Sequence, residues 1–367
     1  MNVIVIGAGV IGASCADALA VAGHAVAMLD MRGAGRGASQ ASAGVLAPYI
    51  EGHHDDPLLG LCTDSLALYD DFIARVRDSS GRAIEYARSG TIEVALTDAD
   101  VSRLTTLHAW LAARDVASEW LDAAEAHRRD PAMSPDIRGA LFIAAHGFVN
   151  VPQLVAALVQ SAAFRGATLE VPTEVIRVEP SKDRVTVVID GERRECDAVV
   201  IAAGAWSGRV RIAGLPPIEV RPIRGQLLHL GWPDDAPMPK QVVWAERCYT
   251  VPWTDRTLLV GATAENVGFD ERSTTAGVHD LMTAVGEILP AAWHASLKEV
   301  RVGLRPAPFD SAQGTPFDFA QAKPVPLIGP APNSPRVILA TGHFRNGVML
   351  APLTAVKVVE YVGLVSH

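Results

Sequence analysis

Val3–Ile6 is a short β-branched run that ends in GAGVIG, so Gly7, Gly9 and Gly12 stand at the GxGxxG spacing. A helical pattern continues through Leu19 and is closed by Gly23, after which HAVAMLD reads as a second strand ending in Asp30. This strand–glycine turn–helix–strand series admits little besides a βαβ unit. Gly7 allows the tight strand-to-helix turn, Gly9 lets backbone approach a pyrophosphate, and Gly12 lets helix and strand pack closely. The helix start then offers free N–H groups and the positive end of its dipole. Asp30 stands where an acid holds the ribose hydroxyls of adenosine and repels a 2′-phosphate, which disfavours NADP. The unit predicts a dinucleotide site and does not by itself separate NAD from FAD.

At 367 residues the chain suits two interleaved domains rather than one core. Its 49% apolar and 20% charged composition is that of a soluble, well-packed enzyme. A net charge of −9 with no basic run argues against a nucleic-acid partner. Cys15, Cys62, Cys196 and Cys248 are scattered, with no CxxC pair and no histidine cluster at metal spacing. Free thiols in a reducing, cytoplasmic setting and no metal site are expected. Apolar stretches such as Ala198–Trp206 fall far short of the roughly 20 residues a membrane span needs. The N-terminal run lacks a basic n-region, so its glycines are read as the turn above and not as a signal peptide.

Gly35–Pro48, GRGASQASAGVLAP, is dominated by small side chains and carries no charge after Arg36. It reads either as a surface loop or as backbone lying flat along a ligand, with Ser39 and Ser42 offering hydroxyls. Here the chain resembles the D-amino-acid-oxidase-like flavoproteins, and within them the glycine oxidases of thiamine biosynthesis, where a GxxAS-x-AAAGML-type stretch runs beside the flavin. DAVVIAAGAWSG (Asp197–Gly208) is similar to that family's buried strand ending next to the cofactor, and RPIRGQLL (Arg221–Leu228) to its crossover into the substrate domain. VGLRPAP (Val302–Pro308) and GHFRNGVMLAP (Gly342–Pro352) are similar to its two arginine-bearing motifs, so the resemblance spans the full length.

The resemblance implies an α/β (α+β overall) fold in which a Rossmann-type FAD-binding domain is interleaved with a substrate domain built on an antiparallel sheet. Residues 1–85, 147–214 and 323–367 would form the first, and 86–146 with 215–322 the second. FAD is expected to be noncovalent, because no cysteine stands where sarcosine oxidases attach their flavin. The implied cofactor contacts are Gly7, Gly9, Val10, Ile11, Gly12, Asp30, Met31, Arg36, Ser39, Ser42, Ala43, Gly44 and Leu46 from the N-terminal segment. Val175 follows, where the family's backbone meets the adenine, then Ala203, Gly204 and Trp206. Gly342, Arg345, Asn346, Gly347, Val348 and Met349 complete the set.

Local patterns fill in the remaining elements. Leu58–Arg77 reads as one helix, Thr91–Leu96 as a strand, Val101–Ala113 as a helix, and Asn150 as the N-cap of a helix stopped by Gly166. Three alternating stretches, Glu174–Val178, Val185–Ile189 and Ala198–Ala202, return the chain to the cofactor domain. Strands near 220–230, 242–251 and 257–262 and a helix near 276–289 would build the substrate domain. A PFD-x-AQ repeat at Pro308–Gln313 and Pro316–Gln321 marks an inserted surface loop near 308–322, with a lid over the site as the sharper reading.

Read as one strand, Val242–Pro252 puts Arg247, Tyr249 and Val251 on one face. The resemblance implies that Tyr249 points at the substrate and that Arg305 pairs with the substrate carboxylate, for which a planar guanidinium fork is suited. Arg345 stands where a strand hands over to a helix and calls for an anion, either that carboxylate or the flavin carbonyls. The N–H groups of Asn346–Met349, opening the last helix, would face the flavin's pyrimidine end. Singly, Tyr249 could be a core aromatic and either arginine an ion-pair partner. In order, and with matching flanks, they outline an active site.

The implied activity is FAD-dependent oxidative deamination of a small amino acid or amine such as glycine, sarcosine or a D-amino acid. Hydride passes from the α-carbon of a neutral amine to the flavin, and dioxygen is the second substrate. The products are an imine or oxo acid, ammonia and hydrogen peroxide. Assembly into a homo-oligomer is expected from the same relatives. Arg247 and Ala264 depart from the pattern, replacing a histidine and a methionine; facing the pocket they imply a roomier one with an added cation and a larger substrate with a second carboxylate, whereas an outward Arg247 would pair with an acid of the inserted loop. A D-amino-acid dehydrogenase passing electrons to a non-oxygen acceptor would share the fold.

Overall fold

The computed structural model describes residues 1–51, 57–308 and 325–365. The first strand, β1 (Asn2–Ile6), is apolar on both sides: Val3 and Val5 enter one buried cluster while Ile4 and Ile6 enter another. Successive strand side chains point to opposite faces, so a run like this suits the middle of a doubly covered sheet. β1 lies inside a six-stranded sheet, between Ala198–Ile201 and β2 (Ala25–Leu29), both parallel to it. Ser334–Thr341 and Thr168–Glu170 extend the sheet in parallel, and Leu327–Ala331 adds an antiparallel edge.

The Val3 face is covered by α1 (Val10–Val21) together with helices Val151–Phe164 and Ala351–Leu364. The Ile4 face is covered by a four-stranded sheet of Val175–Pro180, Val185–Ile189, Glu192–Cys196 and Arg211–Ile212. Each fully buried valine or isoleucine here contributes about 1.5–3 kcal/mol relative to exposure. Helix Val151–Phe164 begins as its sequence predicts, with the Asn150 side chain accepting from Gln153 N at 3.2 Å and Pro152 in the first turn.

The expected single helix over Leu58–Arg77 is instead two helices, Pro57–Ala67 and Tyr69–Ser80. The break at Leu68 carries no proline or glycine. It lets Ser65 Oγ donate to Met349 O (2.7 Å) while Tyr69 Oη donates to Val348 O (2.5 Å). Tertiary contacts, not local breakers, set that joint.

The second large sheet has eight strands, in the order Ser296–Pro308, Val220–Gly231, Thr257–Gly261, Tyr249–Pro252, Val242–Trp244, Thr91–Ala95, Gly139–Ile143 and Ser118–Asp122. It is antiparallel, as expected, apart from one parallel joint between Val242–Trp244 and Thr91–Ala95. Helix Thr275–Ile288 packs on one face, and the other packs on a short three-stranded sheet of Val45–Leu46, Gly147–Val149 and Tyr86–Ala87. Val242–Pro252 is not one strand. It is a hairpin in which Trp244 pairs with Tyr249 and Ala245 N donates to Cys248 O. Glu246 and Arg247 are therefore turn residues, and the alternation placing Arg247 on the Tyr249 face does not hold.

The four cysteines are free and buried. No helix among the described residues is long and apolar enough to cross a membrane. The loop near 308–322 lies, beyond Pro308, outside the described residues.

Candidate active site

The turn after β1 is built around two glycines. A Cβ at Gly12 would fall on the carbonyl oxygen of Gly7, and a Cβ at Gly7 on that of Ala202. Only glycine permits α1 to start this close to the sheet, and Gly7, at φ +101, also needs the left-handed region. The Asp30 carboxylate accepts from Ala8 N (2.8 Å), Arg32 N (2.7 Å) and Gly33 N (2.8 Å). Arg32 N and Gly33 N share Oδ1 and Ala8 N takes Oδ2, so the bonds fix the carboxylate's orientation and leave acceptor capacity on Oδ2 for a ribose hydroxyl. Ser39 Oγ accepts from Val10 N (2.9 Å), one of the first N–H groups of α1. Its expected role changes accordingly: the hydroxyl caps part of the cradle and keeps its proton and one lone pair to offer.

Across a cleft, the eight-stranded sheet supplies the side chains. Trp244, Tyr249 and Gly261 lie in register on three adjacent strands. The Tyr249 ring is stacked on Trp244 at 4.8 Å, with 21° between planes. On its other side a Cβ at Gly261 would sit 2.5 Å from Tyr249 Oη, so the missing side chain is what makes room for the phenol. Arg305 shows the same device. Its guanidinium occupies the space that a Cβ on Gly225 would fill, and Nη1 donates to Thr263 O at 2.8 Å. Arg247 sits at the rim and pairs with Glu287 on helix Thr275–Ile288 at 3.1 Å.

The C-terminal motif closes the cleft as a turn, and the last helix starts at Ala351, not at Asn346. Asn346 N is bonded to His343 O at 2.8 Å, so its N–H is directed into the turn and away from the expected cofactor edge. Arg345 is exposed to the cleft, with its guanidinium carbon 5.5 Å from the Phe344 ring. His343 is buried, 3.0 Å from Thr354 Oγ1, and burial lowers its pKa to about 3.

His146, beside the cleft wall, behaves alike: burial, and secondarily the Arg88 charge, lowers it to about 3. Its Nε2 accepts from Tyr49 N (3.4 Å), so the tautomer assigned from the bonding carries its proton on Nδ1, 2.8 Å from Thr91 Oγ1. Protonating Nε2 removes that acceptor. The unfolded chain binds protons below the ordinary value of 6.5 that the folded chain refuses until about pH 3. The stability conferred by the two neutral rings is complete above pH 6.5 and is lost as pH falls towards 3. The urea midpoint is expected to drop through this window, and less steeply in His146→Gln. An unchanged slope would remove His146 from the account.

The cleft wall includes Gly7, Gly9, Val10, Ile11, Asp30, Met31, Ser39, Ser42, Ala43 and Gly44. It continues through Val175, Ala203, Gly204, Trp206 and Arg345–Met349 to Tyr249, Arg305 and Arg247. Four expected contacts lie off it. Gly12 is beneath the cradle, Leu46 is fully buried, Arg36 lines a separate groove, and Gly342 packs near Pro308 and Leu327. Arg32, Arg209, Trp244, Thr263 and Ala264 are on the wall and were not expected there as a group, apart from Ala264. Trp244 reaches the wall by pairing with Tyr249 across the hairpin.

A glycine cradle for a pyrophosphate, continuous with a pocket of arginine and tyrosine on a separate sheet, defines a dinucleotide-dependent oxidoreductase. The sequence comparisons agree. The chain belongs to the family of FAD dependent oxidoreductases, whose model matches residues 2–361, and its cradle fits that cofactor by the close approach at Gly7 and Gly12. It is 31% identical to a glycine oxidase of Geobacillus kaustophilus over 98% of this chain and 92% of that protein. The crystal structure of glycine oxidase from that organism superposes with a TM-score of 0.89 at 31% identity, covering 99% of this chain and 94% of the other. An iminodiacetate oxidase from Chelativorans sp. BNC1 superposes with a TM-score of 0.84 at 28% identity, covering 98% and 95%.

Proposed function

We propose that this protein is an FAD-dependent oxidase of small amino acids or amines of the glycine type, with Arg305 and Tyr249 binding the substrate. The observation that carries it is the pairing of Arg305, fixed over Gly225, with Tyr249, held between Trp244 and Gly261, on the same cleft as the dinucleotide cradle. The flavin, when bound, supplies the hydride acceptor and its reoxidation by dioxygen. The chain's own residues do the rest. Arg305 takes the carboxylate in its fork, and Tyr249 limits where the α-carbon can lie. Arg345 adds positive charge on the same wall, and the sheet face excludes water.

FAD is held without a covalent bond by the cradle, Asp30, the Ser39–Gly44 stretch, Val175, Ala203–Trp206 and the Arg345–Met349 turn. Residues 1–85, 147–214 and 323–367 form its domain, and 86–146 with 215–322 form the substrate domain. A homo-oligomer in a reducing cytoplasm completes the reading, supported by four buried free thiols and by exposed Phe164 and Trp293. The test is anaerobic addition of glycine, sarcosine, D-alanine or D-glutamate to the flavin-loaded protein, followed by air. Bleaching with prompt return of colour and peroxide is the expected result. Bleaching with sluggish return would make the protein a dehydrogenase, and no bleaching would overturn the amine substrate.

A second reading, a substrate with two carboxylates, is favoured by Arg247 at the rim, by small Ala264 on the same wall, and by the likeness to an iminodiacetate oxidase. The Arg247–Glu287 pair is half exposed, at 54% and 44% of the side-chain surfaces. Such pairs contribute about 0–1 kcal/mol, so the cation is cheaply released to a second carboxylate. Arg247→Ala is expected to lower kcat/KM for iminodiacetate about tenfold relative to glycine, the size of one rim charge contact. An unchanged ratio would remove this reading.

A further inference from the structure

We propose that residues 265–272, a loop of the substrate sheet, form a clasp over the nucleotide end of the FAD cleft and set the rate at which FAD leaves. The inference rests on the FAD-dependent reading above. Arg32, two residues beyond Asp30, lines the cleft, as do Trp206 and Arg209 in the turn after strand Ala198–Ile201. From the other sheet come Phe269 and Glu271. The Arg32 guanidinium carbon is 4.9 Å from the Trp206 ring, that ring is 5.7 Å from Phe269, and the Arg209 guanidinium carbon is 3.8 Å from Phe269. Cation, ring, ring and cation follow one another, an order the ring quadrupoles favour. Arg32 also forks onto Glu271 at 2.9 and 2.8 Å.

The loop is anchored by one buried cation and makes its contacts across the cleft through partly exposed side chains. At the root, the Arg224 side chain is 4% exposed, pairs with Glu265 (2.5 Å) and Asp270 (3.2 Å), and donates to Arg272 O (3.0 Å). Gln226 Nε2 adds donation to Glu265 (2.7 Å) and Thr274 (3.0 Å). At the tip, Phe269 is 37% exposed and the Arg32 and Glu271 side chains are 31% and 29% exposed. One buried arginine thus gathers Glu265, Asp270 and the Arg272 carbonyl, while Phe269 and Glu271, on either side of Asp270, reach across to Trp206, Arg209 and Arg32. A nucleotide lying along Arg32, Trp206 and Arg209 then has this tip between itself and solvent. Phe269 is at this position to cover those groups, not to build a core.

The test follows free-flavin fluorescence after dilution of the FAD-loaded protein, at low and high salt, with far-UV circular dichroism in parallel. Phe269→Ala is expected to release FAD about tenfold faster, and Phe269→Tyr, which keeps the ring, at the unaltered rate. Glu271→Gln is expected to release it about threefold faster and to lose the acceleration that salt produces in the unaltered protein by screening the Arg32 pair. Release within about twofold of the unaltered rate in both Phe269→Ala and Glu271→Gln would overturn the clasp. So would release that occurs only together with loss of the dichroism signal, which would make the loop a structural prop. Failure of the unaltered protein to take up FAD would instead overturn the cofactor reading beneath it.

Discussion

Replacing Arg305 with leucine is expected to lower kcat/KM for an amino-acid substrate about 1,000-fold, with FAD binding retained. Removing one partner of a desolvated, hydrogen-bonded charge pair costs about 2–5 kcal/mol, and each 1.4 kcal/mol is a factor of ten. The leucine variant leaves a carboxylate facing the same apolar and aromatic wall without its fork. Arg305→Lys restores charge but not the two parallel bonds, so it is expected to recover only part of the loss. The geometry offers a second route to the same defect. A methyl group on Gly225 would occupy the space of the Arg305 guanidinium, so Gly225→Ala should push the arginine off Thr263 O and raise KM while leaving its charge in place. An amine without a carboxylate should be affected little by either change. If Arg305→Leu costs less than tenfold with every amino acid tried, the carboxylate lies elsewhere in the cleft.

The parts of this site that were readable in the sequence are those whose physics is local. Gly12 meets the Gly7 carbonyl within one βαβ unit, which is the close approach the spacing encodes, while Gly7 also meets Ala202 of the returning strand and Gly9 meets only Ser39 Oγ. Asn150 and Pro152 announce a helix start for the same reason. The hairpin at Ala245–Cys248 was not legible, because AERC contains no glycine, proline or asparagine and the apolar alternation runs on across the turn. Its consequence was the misplaced face for Arg247. The start of the last helix is marked locally: Pro352 lies in its first turn, where proline is favoured, and points to Ala351 rather than Asn346. The break at Leu68 and the Arg32–Glu271 pair had no local signal at all. Each is decided by residues more than 200 positions away, Val348 and Met349 in one case and the substrate-sheet loop in the other. Long-range contacts of that kind are invisible to periodicity.

Gly12→Val is expected to give a colourless protein whose affinity for FAD is lower by at least about 100-fold, or about 2.7 kcal/mol. The reason is the position of one absent atom. A Cβ on Gly12 would coincide with the Gly7 carbonyl oxygen, and the two further methyls of valine would extend the clash towards the Ala202 side chain, 3.4 Å from that Cβ. The helix cannot answer by tilting away, because Ala13, Ala16, Leu19 and Ala20 of α1 are packed in the cluster shared with helices Val151–Phe164 and Ala351–Leu364. Overpacking of this kind typically costs about 1–3 kcal/mol. It falls on the turn whose N–H groups must meet the pyrophosphate, so it is expressed in binding before it is expressed in unfolding. Gly60 is the matching control: it also lies in a helix, but a Cβ there meets nothing within 4 Å, so Gly60→Ala should remain yellow. FAD titration of the two variants by flavin absorbance, with circular dichroism to verify folding, separates the cases. A folded Gly12→Val protein that binds FAD as tightly as the unaltered chain would show that the phosphates do not rest on the start of α1, and the cradle would need a different ligand.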